Sequence, residues 1–407
     1  MEVLLETLGA AALTLVEYCR ENEWSGYDPY DALNSRVLAS VPLGNARLTR
    51  LAFTQALKRS PLNFRALLAV PKTENPKAIA LFLMAFLKLA AVQLSDRKEL
   101  VALMAEKLAK LRSQGSPYWC WGYSFPWQTR TILVPRGAPN LVCTVFVADG
   151  LLDLYESDRN SRYLDMAVSA AQYLLNDLYW TDNDSTASFS YPVPMLRTRV
   201  HNANFLAAAL LCRVFAHSGD ERFLAPALRV ARYSVSRQHG DGSWDYGEAP
   251  SQRWADNFHT GYNLCALRSI AVHAKTSEFD SSIGRGFAFY RTHFFTEDGA
   301  ARYFHDRIYP IDIHSVAQSI ITLVGLRDLG VGSTDLAVSV ARWAMAHLRD
   351  EQGYFYYRRS RFHTNTISYM RWSQAWMLLA LATLLEHCPS AATATLTAEK
   401  AACARGR

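Results

Sequence analysis

The chain has 407 residues, half of them hydrophobic, so it can bury a substantial core without disulfides or metal ions. Its 43 basic and 37 acidic residues are interspersed and give a net charge of +6, and the absence of a basic block argues against a nucleic-acid partner. No apolar run is long enough to span a bilayer, and Glu2 and Glu6 stand where a secretory signal carries positive charge. The seven cysteines include no CxxC pair, which predicts that they are reduced and that the protein is cytoplasmic.

Two kinds of helix alternate along most of the chain. An amphipathic helix is predicted over 1–22, then a turn-rich stretch from Trp24 to Ser35, and helices over 48–58 and 77–95. Helices with an exposed charged face follow at 98–113, 161–180, 221–238, 277–295 and 333–350. Each leads through an aromatic loop to a helix that is apolar nearly all round, at 140–156, 201–217, 258–273, 312–329 and 369–386. Because a helix that is apolar on every side is usually buried, the second kind forms an inner layer.

This alternation predicts the fold class. With 77–95 counted as an inner helix there are six inner helices, each preceded by an outer one. Six such hairpins close into an all-α, double-layered (α/α)6 toroid over residues 1–388, with the inner helices around a funnel and the aromatic loops on one rim. An open α-solenoid is the competing architecture. The small, polar residues 389–407 are predicted to be a disordered tail.

Four ionisable residues recur at a near-constant interval at the starts of the inner helices. His201, His259, His314 and Arg371 are separated by 58, 55 and 57 residues, so they are expected to face one cavity mouth. A helix N-terminus attracts anions and favours a neutral imidazole, which suits acid/base catalysis beside an anion anchor. The alternative is that each His only caps its helix or bonds to a loop.

Neighbouring residues extend this candidate site. Asp256 and Asp312 precede two of the histidines, so each is either an acid or base that works with its His or an ordinary N-cap. Asn202 follows His201 and is a candidate for binding substrate. One tyrosine is expected to take part, and the sequence leaves four candidates unranked: Tyr191, Tyr246, Tyr262 and Tyr309.

The loops carry residue types that bind sugars. Aromatic faces stack on sugar rings and arginine forks onto carboxylates, so the predicted substrate-binding residues, in addition to Asn202, Tyr262 and Arg371, are Trp127, Arg130, Trp254, Tyr354 and Trp372. The alternative is that many of these aromatics pack the loops onto the toroid. No HExxH, phosphate-binding loop, dinucleotide motif or GxSxG elbow is present, so neither a metal nor a cofactor is expected.

Several of these features resemble known families. Aromatic loops followed by inner helices that start with His or Arg resemble the N-acylglucosamine 2-epimerases, unsaturated glucuronyl hydrolases and toroidal polysaccharide lyases. The Asn, His, Arg and Tyr grouping resembles the lyase apparatus, which implies neutralisation of a uronate carboxylate before proton abstraction. YDPYDALNS at 27–35 and YMRWSQAWMLLALATLLE at 369–386 resemble toroid proteins of bacterial exopolysaccharide gene clusters.

One further resemblance is local. QHGDGSW at 238–244 is similar to the repeat signature of triterpene cyclases, but it occurs once and the Asp-rich protonating motif of those enzymes is missing. It therefore indicates a toroid fold more than a cyclase reaction, with Gln238 and Trp244 bracing a loop.

The sequence thus favours a carbohydrate-active enzyme of exopolysaccharide biosynthesis that uses His/Asp chemistry on an acidic or N-acetylated sugar. Epimerisation, β-elimination and hydrolysis all fit the residues. The expected partners are a sugar or oligosaccharide and the polysaccharide synthesis machinery. The alternatives are a non-catalytic toroid that binds a glycan or a synthase, and an isoprenoid-handling toroid.

Overall fold

Two concentric layers of helices make up the structure, a computed structural model that describes residues 2–41, 44, 46–92, 94, 98–183 and 186–388. The predicted tail, 389–407, lies outside these ranges. In chain order the helices are α1 (Glu2–Glu21), α2 (Arg36–Ser40), α3 (Arg47–Arg59), α4 (Pro76–Ala91), α5 (Lys98–Lys110), α6 (Leu141–Asp158), α7 (Ser161–Tyr173), α8 (His201–Ser218), α9 (Leu224–Val235), α10 (Asn257–His273), α11 (Asp280–His293), α12 (Ile313–Gly325), α13 (Ser333–His347) and α14 (Trp376–His387). A π-helical turn, Met370–Ala375, leads into α14.

The inner layer is a closed ring. Helices α4, α6, α8, α10, α12 and α14 each pack against the next, and α14 packs against α4. Outside them α5, α7, α9, α11 and α13 pack on the inner helices, and α1 covers α14. The contact between α14 and α4 closes the ring, which confirms the (α/α)6 toroid and rules out the open solenoid.

The inner helices start where the sequence supplies an acceptor for their unpaired N–H groups. Asn75, Asn140, Asp256 and Asp312 each cap an inner helix, with side-chain acceptors 2.9–3.1 Å from a backbone nitrogen in the first turn. The two inner helices without such a cap use loop carbonyls. His201 N–H donates to Tyr246 O at 3.0 Å, and Met370 N–H donates to Tyr27 O at 3.2 Å. Capping thus fixes the loops to the helix starts on one rim.

Short antiparallel strands add to that rim: β1 (Trp127–Gln128) pairs with β2 (Leu133–Val134), β3 (Tyr179–Asn183) with β4 (Thr186–Phe189), and β5 (Ile311–Asp312) with β6 (Arg358–Arg359), which also pairs with β7 (Thr364–Asn365). The helix predicted over 161–180 is therefore wrong at its end, because α7 stops at Tyr173 and a π-helical turn, Leu174–Leu178, leads into β3. Tyr179, Trp180 and Thr181 favour a strand, and β4 pairs with them.

The DGSW turn has a structural role. Gly242 has φ of 94°, and a Cβ there would lie 2.4 Å from Arg285 O, so only glycine fits. Gln238 Nε2 donates to Gly242 O at 2.9 Å and to Ser282 O at 3.0 Å, while the buried Trp244 Nε1 donates to Ser234 O at 3.1 Å. Gln238 and Trp244 hold the loop against two outer helices, as the sequence predicted.

Two features bear on the compositional predictions. Within the described ranges, six cysteines are free thiols, and four of them are buried: Cys19, Cys120, Cys143 and Cys212. The helices of the same ranges include none that is long and apolar enough to cross a membrane.

Candidate functional site

A cavity of about 380 Å³ lies at the N-terminal ends of the inner helices. The second residue of every inner helix, counting the π-helical turn as the start of the sixth, lines this cavity. These six residues are Lys77, Val142, Asn202, Phe258, His314 and Arg371. The toroid therefore places one position of each hairpin at a common centre.

The cavity wall above this ring is aromatic. The loops that precede the inner helices, together with the π-helical turn, contribute Tyr30, Tyr123, Phe125, Trp127, Tyr191, Tyr246, Trp254, Tyr303 and Trp372. Trp254 stacks on Tyr246 with ring centroids 4.5 Å apart and planes 6° apart. Flat faces with polar edges are what a sugar ring stacks on.

Asp256 and His259 form a pair at the start of α10. His259 Nδ1 lies 2.9 Å from both carboxylate oxygens of Asp256, and one of those oxygens also accepts the His259 backbone N–H. Asp256 is buried while His259 remains partly exposed to the cavity. Because a carboxylate accepts the Nδ1 proton, Nε2 is left as the basic nitrogen. The arrangement is that of an oriented general base.

Arg371 brings a fixed positive charge to the same cavity. Its Nε and Nη2 donate to the two carboxylate oxygens of Asp28 at 2.6 and 2.8 Å, and the pair is buried. The guanidinium lies over the rings of Tyr123 and Trp372, 5.0 and 5.4 Å from their centroids. The Asp28–Arg371 pair joins segments 27–35 and 369–386. Nη1 has no partner in the part of the chain that the structure describes.

A third group of polar atoms lies deeper. Tyr262 Oη is 2.6 Å from His314 Nε2 and 3.5 Å from Lys77 Nζ. Burial lowers the pKa of His314 well below its ordinary value and raises the pKa of Tyr262 well above its own. The phenol is therefore protonated and donates to a neutral imidazole. Among the described residues His314 Nδ1 has no hydrogen-bond partner.

Lys77 also lines the cavity, although it is not among the site residues predicted from the sequence. It is the second residue after the Asn75 cap and follows Pro76, so it stands at the same helix position as His314 and Arg371. The signal in the sequence is a lysine at that position, directly before the apolar run 78–87.

The structure places His201 away from the cavity. His201 is the first residue of α8, and its Nδ1 lies 3.4 Å from Ser234 Oγ of α9, where burial lowers its pKa to about 4. One residue on an α-helix turns the side chain by about 100°, so the next residue, Asn202, faces the cavity instead. The predicted ring of four therefore differs from the observed one at this position.

Asp312 is present at the rim but fully engaged. Its carboxylate accepts Arg358 Nη2 at 2.9 Å and Trp372 Nε1 at 2.8 Å, in addition to capping α12. The contacts of Asp312 are therefore those of a residue that holds the fold together. The lining of the cavity includes no carboxylate among the described residues.

The remaining predicted residues divide clearly. Trp127, Trp254, Trp372, Tyr262 and Arg371 line the cavity, as does Asn202. Arg130 lies on the exposed turn between β1 and β2, and its carbonyl accepts from Arg47. Tyr354 packs on Tyr18 outside the cavity, with centroids 5.0 Å apart. Of the four tyrosines left unranked, three line the cavity and Tyr309 does not.

No constellation of three or more His, Cys, Asp or Glu side chains in the described ranges is placed to hold a metal ion. The polar groups of the cavity are instead single donors and bases from different hairpins. What they can do together is bind an anion and move a proton.

Solved structures of sugar-processing enzymes share this fold. An unsaturated glucuronyl hydrolase of Streptococcus agalactiae has a TM-score of 0.60 at 10% identity, over 94% of this chain and 92% of its own. A cellobiose 2-epimerase of Spirochaeta thermophila has 0.56 at 12% identity, over 80% and 87%. A GH76 α-mannanase of Bacteroides thetaiotaomicron has 0.58 at 14% identity, over 76% and 86%.

At these identities the likeness is one of fold. It confirms the distant structural similarity to epimerases and unsaturated glucuronyl hydrolases that the sequence predicted. No protein-family model matches the chain, and no curated protein sequence does.

Proposed function

We propose that this protein is a carbohydrate-active enzyme that moves a proton at the carbon atom next to the carboxylate of an acidic sugar, as in epimerisation or β-elimination. The observation that carries the proposal is the oriented Asp256–His259 pair in an aromatic cavity that also holds Arg371. The sugar-acting structural neighbours support a sugar as the substrate.

The roles follow from the geometry. His259 Nε2 takes the proton, and Asp256 stabilises the imidazolium that results. Arg371 binds the substrate carboxylate through Nη1, which has no partner among the described residues. This contact lowers the cost of the negative charge that develops when the C–H bond breaks. The proton that His259 Nε2 has taken is then available to the leaving oxygen in β-elimination, or to the carbon in epimerisation. Tyr262 keeps its proton and lies within the same cavity, where its phenol is a neutral hydrogen-bonding group.

Hydrolysis fits this cavity less well. A glycosidase of the usual kind needs two carboxyl groups on either side of the scissile bond. Asp312 is held by Arg358 and Trp372, and Asp256 is buried behind His259. Neither has a free face toward a sugar.

The setting is part of the same proposal. The segments 27–35 and 369–386, which resemble proteins of exopolysaccharide gene clusters, meet at the Asp28–Arg371 pair beside the cavity. We therefore place the enzyme in exopolysaccharide biosynthesis, in the cytoplasm, acting on a sugar or oligosaccharide. An isoprenoid substrate is not proposed, because two lysines, an arginine and two histidines line the cavity.

Turnover on a panel of acidic and N-acetylated oligosaccharides tests the function. Wild-type protein is expected to convert an acidic member, and His259→Ala is expected to abolish that conversion. His217→Ala is the matched control, since His217 pairs with Glu156 at the C-terminal ends of α8 and α6, away from the cavity. Equal activity in wild type and His259→Ala would remove the proposed site, and glycan binding without any product would favour a non-catalytic toroid.

A further inference from the structure

Lys77 is a buried amine on the cavity wall. The residue is 2% exposed. Its Nζ has one hydrogen-bond partner in the described ranges, Tyr262 Oη at 3.5 Å. No carboxylate of those ranges lies within ion-pair distance. Arg371, on the neighbouring inner helix, has Asp28. A buried cation is ordinarily paired, so the missing partner is the observation to explain.

The surroundings of Lys77 disfavour the charged form of its amine. Burial lowers the pKa of Lys77 well below its ordinary value, and the nearby charge of Arg371 lowers it further, against smaller opposing effects of Cys143 and Asp28. The N-terminal ends of six inner helices converge here, and their partial positive charge acts in the same direction. The other titratable groups close by, Tyr262 and His314, are neutral.

The walls around Nζ cannot supply the missing charge. Phe146, Trp376 and Tyr262 present ring faces 3.9, 5.1 and 5.4 Å from it. The faces of these rings attract a cation, but a ring has no net charge and so cannot neutralise an ammonium. Helix N-termini, Arg371 and an unpaired amine together make a site for one anionic group.

We propose that the Lys77 amine is the counter-ion of a ligand carboxylate and takes up one proton from solvent as that carboxylate enters the cavity. The choice of a carboxylate rests on the proposed function, whereas the need for an anion rests on the charges alone. The amine becomes an ammonium, the carboxylate stays ionised, and the pair is neutral. Lys77 and Arg371 then hold the acidic group from two inner helices, which selects acidic sugars over uncharged ones.

The pH dependence has a definite sign. A bound carboxylate raises the pKa of Lys77, so proton uptake occurs between the low pKa of the free protein and the higher pKa of the complex. Below this window Lys77 is already charged in the free protein, and uptake falls to zero. Above it the amine stays neutral in both states, and binding of the carboxylate weakens.

Isothermal titration calorimetry in buffers of different ionisation enthalpy measures this uptake directly. The probes are D-glucuronate, D-galacturonate and, as the uncharged reference, D-glucose. For wild type titrated at several pH values we expect each uronate to bind with proton uptake that passes through a maximum within this window, and glucose to bind with none. Binding of a uronate without proton uptake would overturn the proposal, and so would failure of both uronates to bind at millimolar concentration.

Two variants separate charge from shape. Lys77→Met is expected to weaken uronate binding by about tenfold or more, because a charged partner is lost, and to abolish proton uptake. Lys77→Arg keeps a permanent charge, so it is expected to bind uronate without uptake. Unchanged affinity and uptake in Lys77→Met would contradict the proposal.

These titrations need no turnover, so they distinguish this inference from the proposed reaction. Proton-linked uronate binding in His259→Ala, which cannot turn over, would support the Lys77 subsite even if no product were ever found. Product formation without proton-linked binding would support the reaction and reject the subsite.

Discussion

The two ends of the inner ring differ in where their cations lie on the helices and in how those cations are paired. At the end remote from the cavity, Arg213 lies 2.5, 3.0 and 3.4 Å from Asp153, Glu156 and Asp149. Lys88 pairs with Glu386 at 2.7 Å. There the cations stand near helix C-termini and have carboxylates beside them, which stabilises the fold.

At the cavity end Arg371 is also paired, with Asp28, but the position of the cations along the helices is different. Cations stand at helix N-termini, where they are disfavoured, and Lys77 has no carboxylate partner in the described ranges. A charge distribution that costs stability is typical of a binding site. The same six helices thus carry a structural end and a ligand end, and substitutions should separate the two.

The largest expected effect concerns catalysis at the ligand end. Loss of the base in His259→Asn should lower kcat by about 10²–10⁴-fold, the usual contribution of a positioned general base. Steady-state kinetics on an acidic oligosaccharide measure it. His217→Asn, at the structural end, should leave kcat within about twofold, since surface substitutions there touch no substrate.

Arg371→Met should be the most destabilising change at the cavity. It leaves the buried Asp28 carboxylate unpaired, which costs about 3–5 kcal/mol in comparable buried pairs. Chemical denaturation gives the change in the free energy of unfolding, and Asp28→Asn in the same chain should restore part of it. Arg213→Met is the counterpart: it should lower stability without changing uronate affinity.

Lys77→Met should have the opposite sign and stabilise the protein, by about 1–2 kcal/mol at neutral pH, a usual gain when a site is optimised for stability alone. The sign follows from linkage. The folded-state pKa of Lys77 is lowered, so the unfolded chain binds more protons than the folded chain at every pH between that lowered pKa and the ordinary lysine pKa. That cost shrinks as pH rises.

Denaturation of wild type and Lys77→Met at several pH values checks this. The stability difference should be largest at neutral or lower pH and should narrow as pH approaches the ordinary lysine pKa of 10.5. A destabilising Lys77→Met, or a difference independent of pH, would mean that the amine is already paired.

The smallest effect should come from the aromatic wall. Trp254→Ala removes the ring stacked on Tyr246 and should raise KM about tenfold, consistent with the loss of one aromatic stacking contact. Tyr354→Ala is the matched control, because Tyr354 packs on Tyr18 outside the cavity. Its KM should stay within about twofold of wild type.

The periodicity of apolar residues was sufficient to predict the toroid. Helices with one polar face and helices with none cannot exchange layers, so their alternation over six hairpins fixes which are inside. Periodicity did not predict where α7 ends. The helical pattern of the sequence continues to Trp180, but that residue lies in β3 and α7 ends at Tyr173.

The sequence indicated the end of the inner ring where the cavity lies, but not which residue of each helix faces the cavity. A near-constant spacing selects residues to within one or two positions, while facing the cavity depends on the count from the helix cap. His201 and Asn202 are adjacent in the chain, but His201 contacts Ser234 of α9 whereas Asn202 lines the cavity. In α4 the cap is Asn75, and Lys77 is the second residue after it.

Reaction in deuterium oxide tests the central claim most directly. Wild-type protein acting on uronate-containing oligosaccharides should either place deuterium on the carbon next to the carboxylate, as in epimerisation, or release an unsaturated product that has lost that hydrogen. Mass spectrometry and NMR of the products distinguish the two, and His259→Ala should produce neither. Cleavage to saturated products with that hydrogen retained would contradict the account.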